Sequence, residues 1–148
     1  MPLLERLTLR SVHLSPHGPG VTLRVEFPRF PDLVPSAWRA AGCDRFEVQV
    51  GFLAVGEDLQ MRGIPRDELS VDVELTPLER PWMRVLVHGA ELTLQFTATT
   101  AIQVSHLNAY DSRIADPYTA PRCFENRVDQ RLYKVLPPIT GRPFYDYR

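Results

Sequence analysis

The residues of this chain that could carry out chemistry do not form a recognisable catalytic motif. His13, His17, His88 and His106 have no Cys, Asp or Glu at the spacing of a zinc site. His13 and His17 are four residues apart, but they flank a turn rich in Pro and Gly, which excludes a metal pair on a helix. The sequence contains no nucleophile motif and no glycine-rich phosphate loop. We therefore expect no catalytic residue, no metal and no cofactor.

Acidic residues are concentrated in the middle of the chain. Ten of the 18 acids lie in residues 44–91, which carry a net charge of −5, whereas the parts before and after each carry +2. Hydrolytic carboxylate pairs stay open only in the sense that acids are present. Two explanations of the acidic segment remain: a solvated sheet face, or a docking surface for a basic partner, since charge speeds and orients association.

Nucleic-acid binding and carbohydrate binding have weaker support. The arginines are scattered and the net charge is −1, whereas a nucleic-acid interface needs a basic patch. Trp38, Trp82 and the aromatic residues near the C-terminus could stack on a sugar, but aromatics among strand residues more often pack in a core. Direct nucleic-acid binding is therefore not expected.

Length and composition indicate one globular domain over residues 1–148. A chain of this size buries roughly 68–70% of its unfolded surface and needs no disulfide to fold. Cys43 and Cys123 are expected to be separate thiols. The start lacks a signal-peptide pattern and no apolar run is long enough to span a membrane, so we expect a cytoplasmic protein. The many Arg and Pro residues suggest a GC-rich, actinobacterial genome.

The stretch that dominates the pattern is residues 45–61. Apolar residues occupy every second position from Phe46 to Phe52, which predicts a strand with one buried face and one wetter face. Leu59 and Met61 resume the alternation after a short break, so we predict that the two segments form a hairpin.

The rest of the chain to residue 107 has the same strand pattern. Alternating segments recur at 8–12-residue spacing, with turn signals between them. We predict a mainly β fold, borderline α+β: about eight antiparallel strands in a sandwich or a strongly curved sheet, joined as a meander, with one or two short helices. The expected core residues are Phe46, Val48, Val50, Phe52, Leu69, Val71, Val73, Leu75, Val85, Leu92, Leu94 and Phe96.

Three predictions concern segments outside the strands. Residues 35–41 predict a short helix that ends at Gly42 and is anchored in the core by Trp38. Residues 111–122 read as a loop, and the apolar spacing of residues 124–133 is helical. The aromatic tail is expected to pack back on the body.

Four segments together resemble the bacterial polymorphic-toxin immunity proteins of the Immunity protein 50 family. They are residues 9–14 (LRSVHL), residues 27–31 (FPRFP) followed by Trp38, residues 50–63 (VGFLAVGEDLQMRG) and residues 128–133 (VDQRLY), which is similar to the end of actinobacterial members. The resemblance covers most of the chain. It implies a cytoplasmic, non-enzymatic protein that binds a cognate protein toxin and blocks it. The family supplies no set of functional residues to transfer.

The partner-binding residues are therefore inferred from charge alone. Glu57, Asp58, Asp67 and Glu68 fall in expected loops beside the central segment, where a rigid sheet usually presents binding groups. Acidic loops could occupy the basic cleft of a toxin that acts on nucleic acid. The loop at 108–124 and the aromatic tail are alternative contact surfaces. An adaptor module that binds another protein through a sheet edge or loop, and a small hydrolase or sugar-binding domain, are the other functions left open.

Overall fold

The architecture is one antiparallel sheet whose strands follow the alternating segments of the sequence. The computed structural model describes residues 3–15, 19–64, 68–113 and 120–125. These residues form nine strands and one short helix: β1 (Leu3–Leu14), β2 (Val21–Glu26), α1 (Ser36–Ala40), β3 (Arg45–Phe52), β4 (Gln60–Gly63), β5 (Leu69–Pro77), β6 (Trp82–His88), β7 (Leu92–Thr99), β8 (Ile102–Tyr110) and β9 (Cys123–Phe124). The mainly β prediction is confirmed.

The strand order across the sheet is β4-β7-β6-β5-β1-β2-β3-β8-β9. Two runs, β1-β2-β3 and β5-β6-β7, are meanders in which sequence neighbours pair, as predicted. The two runs are joined by pairing of β1 with β5, and β8 adds to the free side of β3. The meander prediction therefore holds within each run and fails between them.

The predicted hairpin of residues 45–61 is wrong. Strand β3 pairs with β2 on one side and with β8 on the other, so neither edge is free for β4. Residues 53–59 instead carry the chain across to β7, where Met61 pairs with Leu94. Two backbone hydrogen bonds, from Thr99 N to Leu53 O (3.0 Å) and from Gly56 N to Thr97 O (2.8 Å), tie this connection to β7. The alternation in both segments predicted strands, but it carried no information on which strands would pair.

The sheet is strongly curved, and its core lies on the inner, apolar face. Phe52 of β3 and Phe96 of β7 are separated by four intervening strands, yet their rings meet edge-on with centroids 5.2 Å apart. Twist and curvature of this kind let one sheet cover its own apolar side chains. The sheet is not closed, because β3 and β7 are joined at their ends by the connection rather than by a ladder of strand pairs.

Nine of the twelve expected core residues are fully buried, and the other three pack against the core as half-buried side chains. The half-buried ones are Phe46, Val50 and Leu75. The period-two pattern therefore identified the inner face of β3, β5, β6 and β7.

The short helix forms where Pro and Gly frame it. Pro35 precedes α1, and Gly42 follows it with a φ of 72°, a left-handed conformation that glycine adopts at helix ends without strain. Trp38 is 3% exposed and contacts the rings of Phe30 and Phe46 at centroid distances of 6.3 and 6.0 Å. The predicted anchoring role of Trp38 is confirmed.

The outer face of β3 contradicts the expectation of a wetter side. Glu47 is 0% exposed and Gln49 is 3% exposed, so both faces of this strand are buried. The reason is a set of charged side chains that cover one another on this face.

The C-terminal predictions are tested only at their first residues. Phe124 ends the two-residue strand β9, so the predicted helix does not begin there, and residues 126–133 lie outside the described residues, as does the aromatic tail. Of the predicted loop at 111–122, residues 114–119 also lie outside them.

Candidate functional site

The most unusual feature of the molecule is a layer of ionisable side chains buried on the outer face of the sheet. We call it the charged layer, and it comprises Arg10, Arg24, Glu26, Glu47, Tyr110 and Arg122, all of them buried. Four adjacent strands supply five members, because β1, β2, β3 and β8 lie side by side, and Arg122 comes from the residue just before β9. Alternation along each strand sends these side chains outward while their neighbours face the core.

Glu47 lies at the centre of the charged layer. Its carboxylate is 3.8 Å from three guanidinium nitrogens, those of Arg10, Arg24 and Arg122. Neither oxygen accepts a hydrogen bond from the described residues. Burial raises the pKa of Glu47, and the three positive charges only partly oppose that rise.

Arg10 connects two other members of the layer to the rim of the sheet. It lies at a bulge between Leu9 and Ser11, which directs its side chain outward. Its Nη2 donates to Glu26 Oε1 (3.1 Å) and its Nη1 donates to Glu68 Oε1 (2.7 Å). Burial alone would lower the pKa of Arg10, but the charge of Glu26 and the bonds to both carboxylates outweigh it, so the pKa is raised.

Tyr110 completes this side of the charged layer. Its hydroxyl donates to Glu26 Oε1, and burial together with this bond raises the pKa of Tyr110. The Arg122 guanidinium lies over the Tyr110 ring, 3.9 Å from its centroid, a cation–π arrangement. Arg122 Nη1 also donates to Asn108 Oδ1 (3.0 Å). Because burial is its largest influence, the pKa of Arg122 is lowered.

Ion pairs within the charged layer connect β1, β2 and β3 with one another and with the residue just before β9, and Tyr110 adds β8 through its bond to Glu26. Its two carboxylates face three guanidiniums, and Glu68 at the rim supplies a third negative charge. Sequence reasoning missed this arrangement, because Arg24, Glu26 and Glu47 alternate with apolar residues as solvent-facing charges do. The available signal was the register: Glu26 lies directly opposite Glu47, an unfavourable like-charge pair unless cations lie beside it.

The predicted partner-binding residues Glu57 and Asp58 lie together, exposed, in the connection between β3 and β4. Asp58 is tied to β7: its carboxylate accepts from the Thr97 hydroxyl (2.6 Å) and the Thr97 backbone N–H (3.2 Å). The bond from the hydroxyl is the main reason that the pKa of Asp58 is lowered. Glu57 is therefore the acid that this connection presents to solvent from a fixed backbone.

The other predicted pair is placed differently. Glu68 follows β4 and adjoins β5, and its side chain is 57% exposed while it binds Arg10 at the edge of the charged layer. Asp67 lies outside the described residues. Asp58, next to Glu57, binds Thr97 of β7, whereas Glu68 binds Arg10 of β1, and β6 and β5 lie between these two strands; the structure therefore does not bring Glu57 and Glu68 into one cluster.

An apolar trough runs along the inner face of the sheet. It has a volume of about 310 Å³ and is lined by side chains of β1, β2, β3, β5 and β8. Leu4 (41%), Ile102 (36%) and Val104 (49%) leave large parts of their surface exposed along it. Contiguous exposed apolar surface of this kind is typical of binding sites.

The described residues contain neither a metal-binding cluster nor a membrane-spanning helix. No three His, Cys, Asp or Glu side chains there lie close enough to hold a metal ion. In the same part of the chain no helix is long and apolar enough to cross a membrane.

The fold and these surfaces define a mainly β protein that presents exposed acids and an apolar trough around a rigid sheet. The family model for Immunity protein 50 matches residues 1–110, which span β1 to β8, and the chain belongs to this family. No curated protein and no solved structure gives a significant match.

Proposed function

We propose that this protein is a cytoplasmic, non-enzymatic immunity protein that binds a cognate protein toxin and neutralises it by stoichiometric occlusion. The observation that carries the proposal is the family match over residues 1–110, since toxin neutralisation is the function that an immunity-protein family suggests. The sheet organisation supports it, because a rigid scaffold holds loops in place for a partner.

The contact surface in this proposal is the acidic set Glu57, Asp58, Asp67 and Glu68, with Glu57 as its principal residue. Hydrogen bonds from Val55 N to Pro19 O (2.8 Å) and from Gly56 N to Thr97 O (2.8 Å), with the two Asp58 bonds, hold the backbone around Glu57. A binding group on a pre-ordered loop loses little conformational entropy on association. An exposed carboxylate on such a loop suits a basic toxin surface.

The contacts of each acid determine whether its charge can be reversed by a change to lysine without disturbing the fold. A lysine at position 58 would lose the bonds to Thr97, and a lysine at position 68 would face Arg10 in the charged layer. Either change would disturb the fold as well as the surface. Glu57→Lys changes only exposed charge and is the informative variant.

The experiment compares Glu57→Lys with Asp32→Lys in binding to the toxin domain encoded by the adjacent gene. Asp32 is also exposed, lies in the connection between β2 and α1, and gives the same change in net charge. We expect Glu57→Lys to slow association and weaken its salt dependence, because steering between opposite charges is screened by salt. Asp32→Lys should behave as wild type. Equal association rates and salt dependence for the two variants would contradict a contact at Glu57.

Survival in co-expression tests the function separately from the surface. Cells that produce the toxin should survive with the wild-type protein and with Asp32→Lys. Death of cells that co-express the folded wild-type protein would refute the neutralising function for that toxin.

A further inference from the structure

The two cysteines of the chain are 80 residues apart in sequence, and both lie beside the end of β8: Cys123 pairs with Ala109, and the N–H of Asp44, next to Cys43, donates to Tyr110 O (3.0 Å). Cys123 in β9 pairs with Ala109 of β8, and Ala109 pairs in turn with Phe46 of β3, so the three share the inner face. Cys43 comes just before β3, where its backbone N–H donates to Trp38 O (3.0 Å).

The two thiols interact with each other, and neither is in a disulfide. The Cys43 side chain is hydrogen-bonded to that of Cys123, and each residue is half-buried. Burial, the adjacent Cys123 and the carboxylates of Asp111 and Asp44 raise the pKa of Cys43 to about 12. Burial and these neighbours therefore disfavour the Cys43 thiolate while Cys123 is still a free thiol beside it.

We propose that Cys43 and Cys123 form a modification site at which a small-molecule disulfide converts the two thiols into an intramolecular disulfide. The thiolate of Cys123 attacks one sulfur of the small disulfide, giving a mixed disulfide and one released thiolate. The thiolate of Cys43 then attacks the Cys123 sulfur and displaces the second small thiolate. The two protons from the protein thiols go to the released thiolates, so the protein is oxidised by two electrons and the small disulfide is reduced.

The cross-link would fasten the outermost strand of the described sheet. Strand β9 is held by two residue pairs with β8 and by the bond from Glu125 N to Leu107 O (2.9 Å). Cys123 faces inward, whereas the preceding Arg122 contributes to the charged layer on the opposite face. Oxidation would therefore stabilise the strand that carries Arg122, independently of toxin binding.

The test is incubation of the full-length native protein with oxidised glutathione, followed by intact-mass measurement and peptide mapping. We expect a product that has lost two hydrogen atoms, with a peptide linking Cys43 to Cys123. A cross-link that closes a loop of about 80 residues should raise the melting temperature by roughly 10 °C, reversibly on addition of dithiothreitol.

The single-cysteine variants separate a pair from two independent thiols. Cys43→Ser should stop at a stable glutathione adduct on Cys123, with no rise in melting temperature of the size seen for the wild type. Mapping of the wild-type product does not depend on either variant folding. Persistent glutathione adducts on the wild type, or cross-linking only after denaturation, would overturn the proposal.

Discussion

The contact between Phe52 and Phe96 joins the two halves of the curved sheet, and its removal should strongly destabilise the fold. Phe52 is 2% exposed and Phe96 is 0% exposed. Truncation of a buried phenylalanine to alanine costs about 3–5 kcal/mol in the free energy of unfolding. At about 2–4 °C per kcal/mol for a domain of this size, Phe52→Ala should lower the melting temperature by roughly 6–20 °C.

Thermal and urea unfolding followed by circular dichroism measure this loss. The control is Leu33→Ala, which truncates an apolar side chain that is 92% exposed and should change stability by less than about 0.5 kcal/mol. A Phe52→Ala protein that melts within a few degrees of the wild type would mean that the inner face of β3 is assigned backwards.

A double-mutant cycle tests the contact itself. Phe52→Leu and Phe96→Leu keep an apolar side chain at each position and remove the edge-to-face pair, which is worth about 0.5–1.5 kcal/mol beyond burial. The two changes should therefore be non-additive by at least about 0.5 kcal/mol. Additivity within a few tenths of a kcal/mol would refute the meeting of β3 and β7 across the core.

Three further predictions concern the ionisable groups. Burial raises the pKa of Glu47 in the folded state, so the contribution of Glu47 to stability is present below its unfolded pKa of about 4.3 and is lost as pH rises through its folded pKa. In urea titrations, Glu47→Gln should therefore become more stable relative to the wild type over that pH range. The opposite trend would contradict burial as the dominant influence on this pKa. The pKa of Asp58 is lowered, so its contribution is lost as pH falls below about 3.9, and Asp58→Asn should remove that part of the acid dependence; an unchanged profile would contradict the bond to Thr97. Freshly purified protein should melt at the same temperature with and without reductant, because both thiols are free, and a fall of many degrees would show an existing cross-link.

Local alternation in the sequence was enough to identify β3, β5, β6 and β7 and the apolar side of each, whereas β8 extends to Tyr110, into a segment predicted as a loop. Strands β5, β6 and β7 bury their odd-numbered or even-numbered apolar residues as the pattern requires, and their pairing as sequence neighbours followed from short turns. The turn after His88 is an example, since Gly89 N bonds to Leu92 O at 2.8 Å.

The alternation of apolar residues carries no information on which distant segments pair with each other. Nothing in residues 45–61 distinguishes a β3–β4 hairpin from the observed pairing of β4 with β7, because both arrangements bury the same side chains. The decisive fact is that β8 pairs with β3, and β8 is encoded about 50 residues later.

The charged layer was missed for a related reason. A strand residue such as Glu47 reads as solvent-facing unless the sequence also shows what covers it, and its covering partners Arg10, Arg24 and Arg122 come from three separate segments. Charge counting located the acidic segment 44–91, but it did not distinguish buried Glu47 from exposed Glu57.

The most direct test of the proposed function is a titration of the purified toxin domain from the adjacent gene with this protein, with residual toxin activity as the readout. Stoichiometric occlusion predicts that activity falls linearly with added protein and reaches its minimum at a molar ratio of about one to one, as it does for tight inhibitors. Undiminished activity at a large excess of folded protein would contradict neutralisation. Full loss of activity at a small fraction of one equivalent would contradict occlusion and indicate turnover instead.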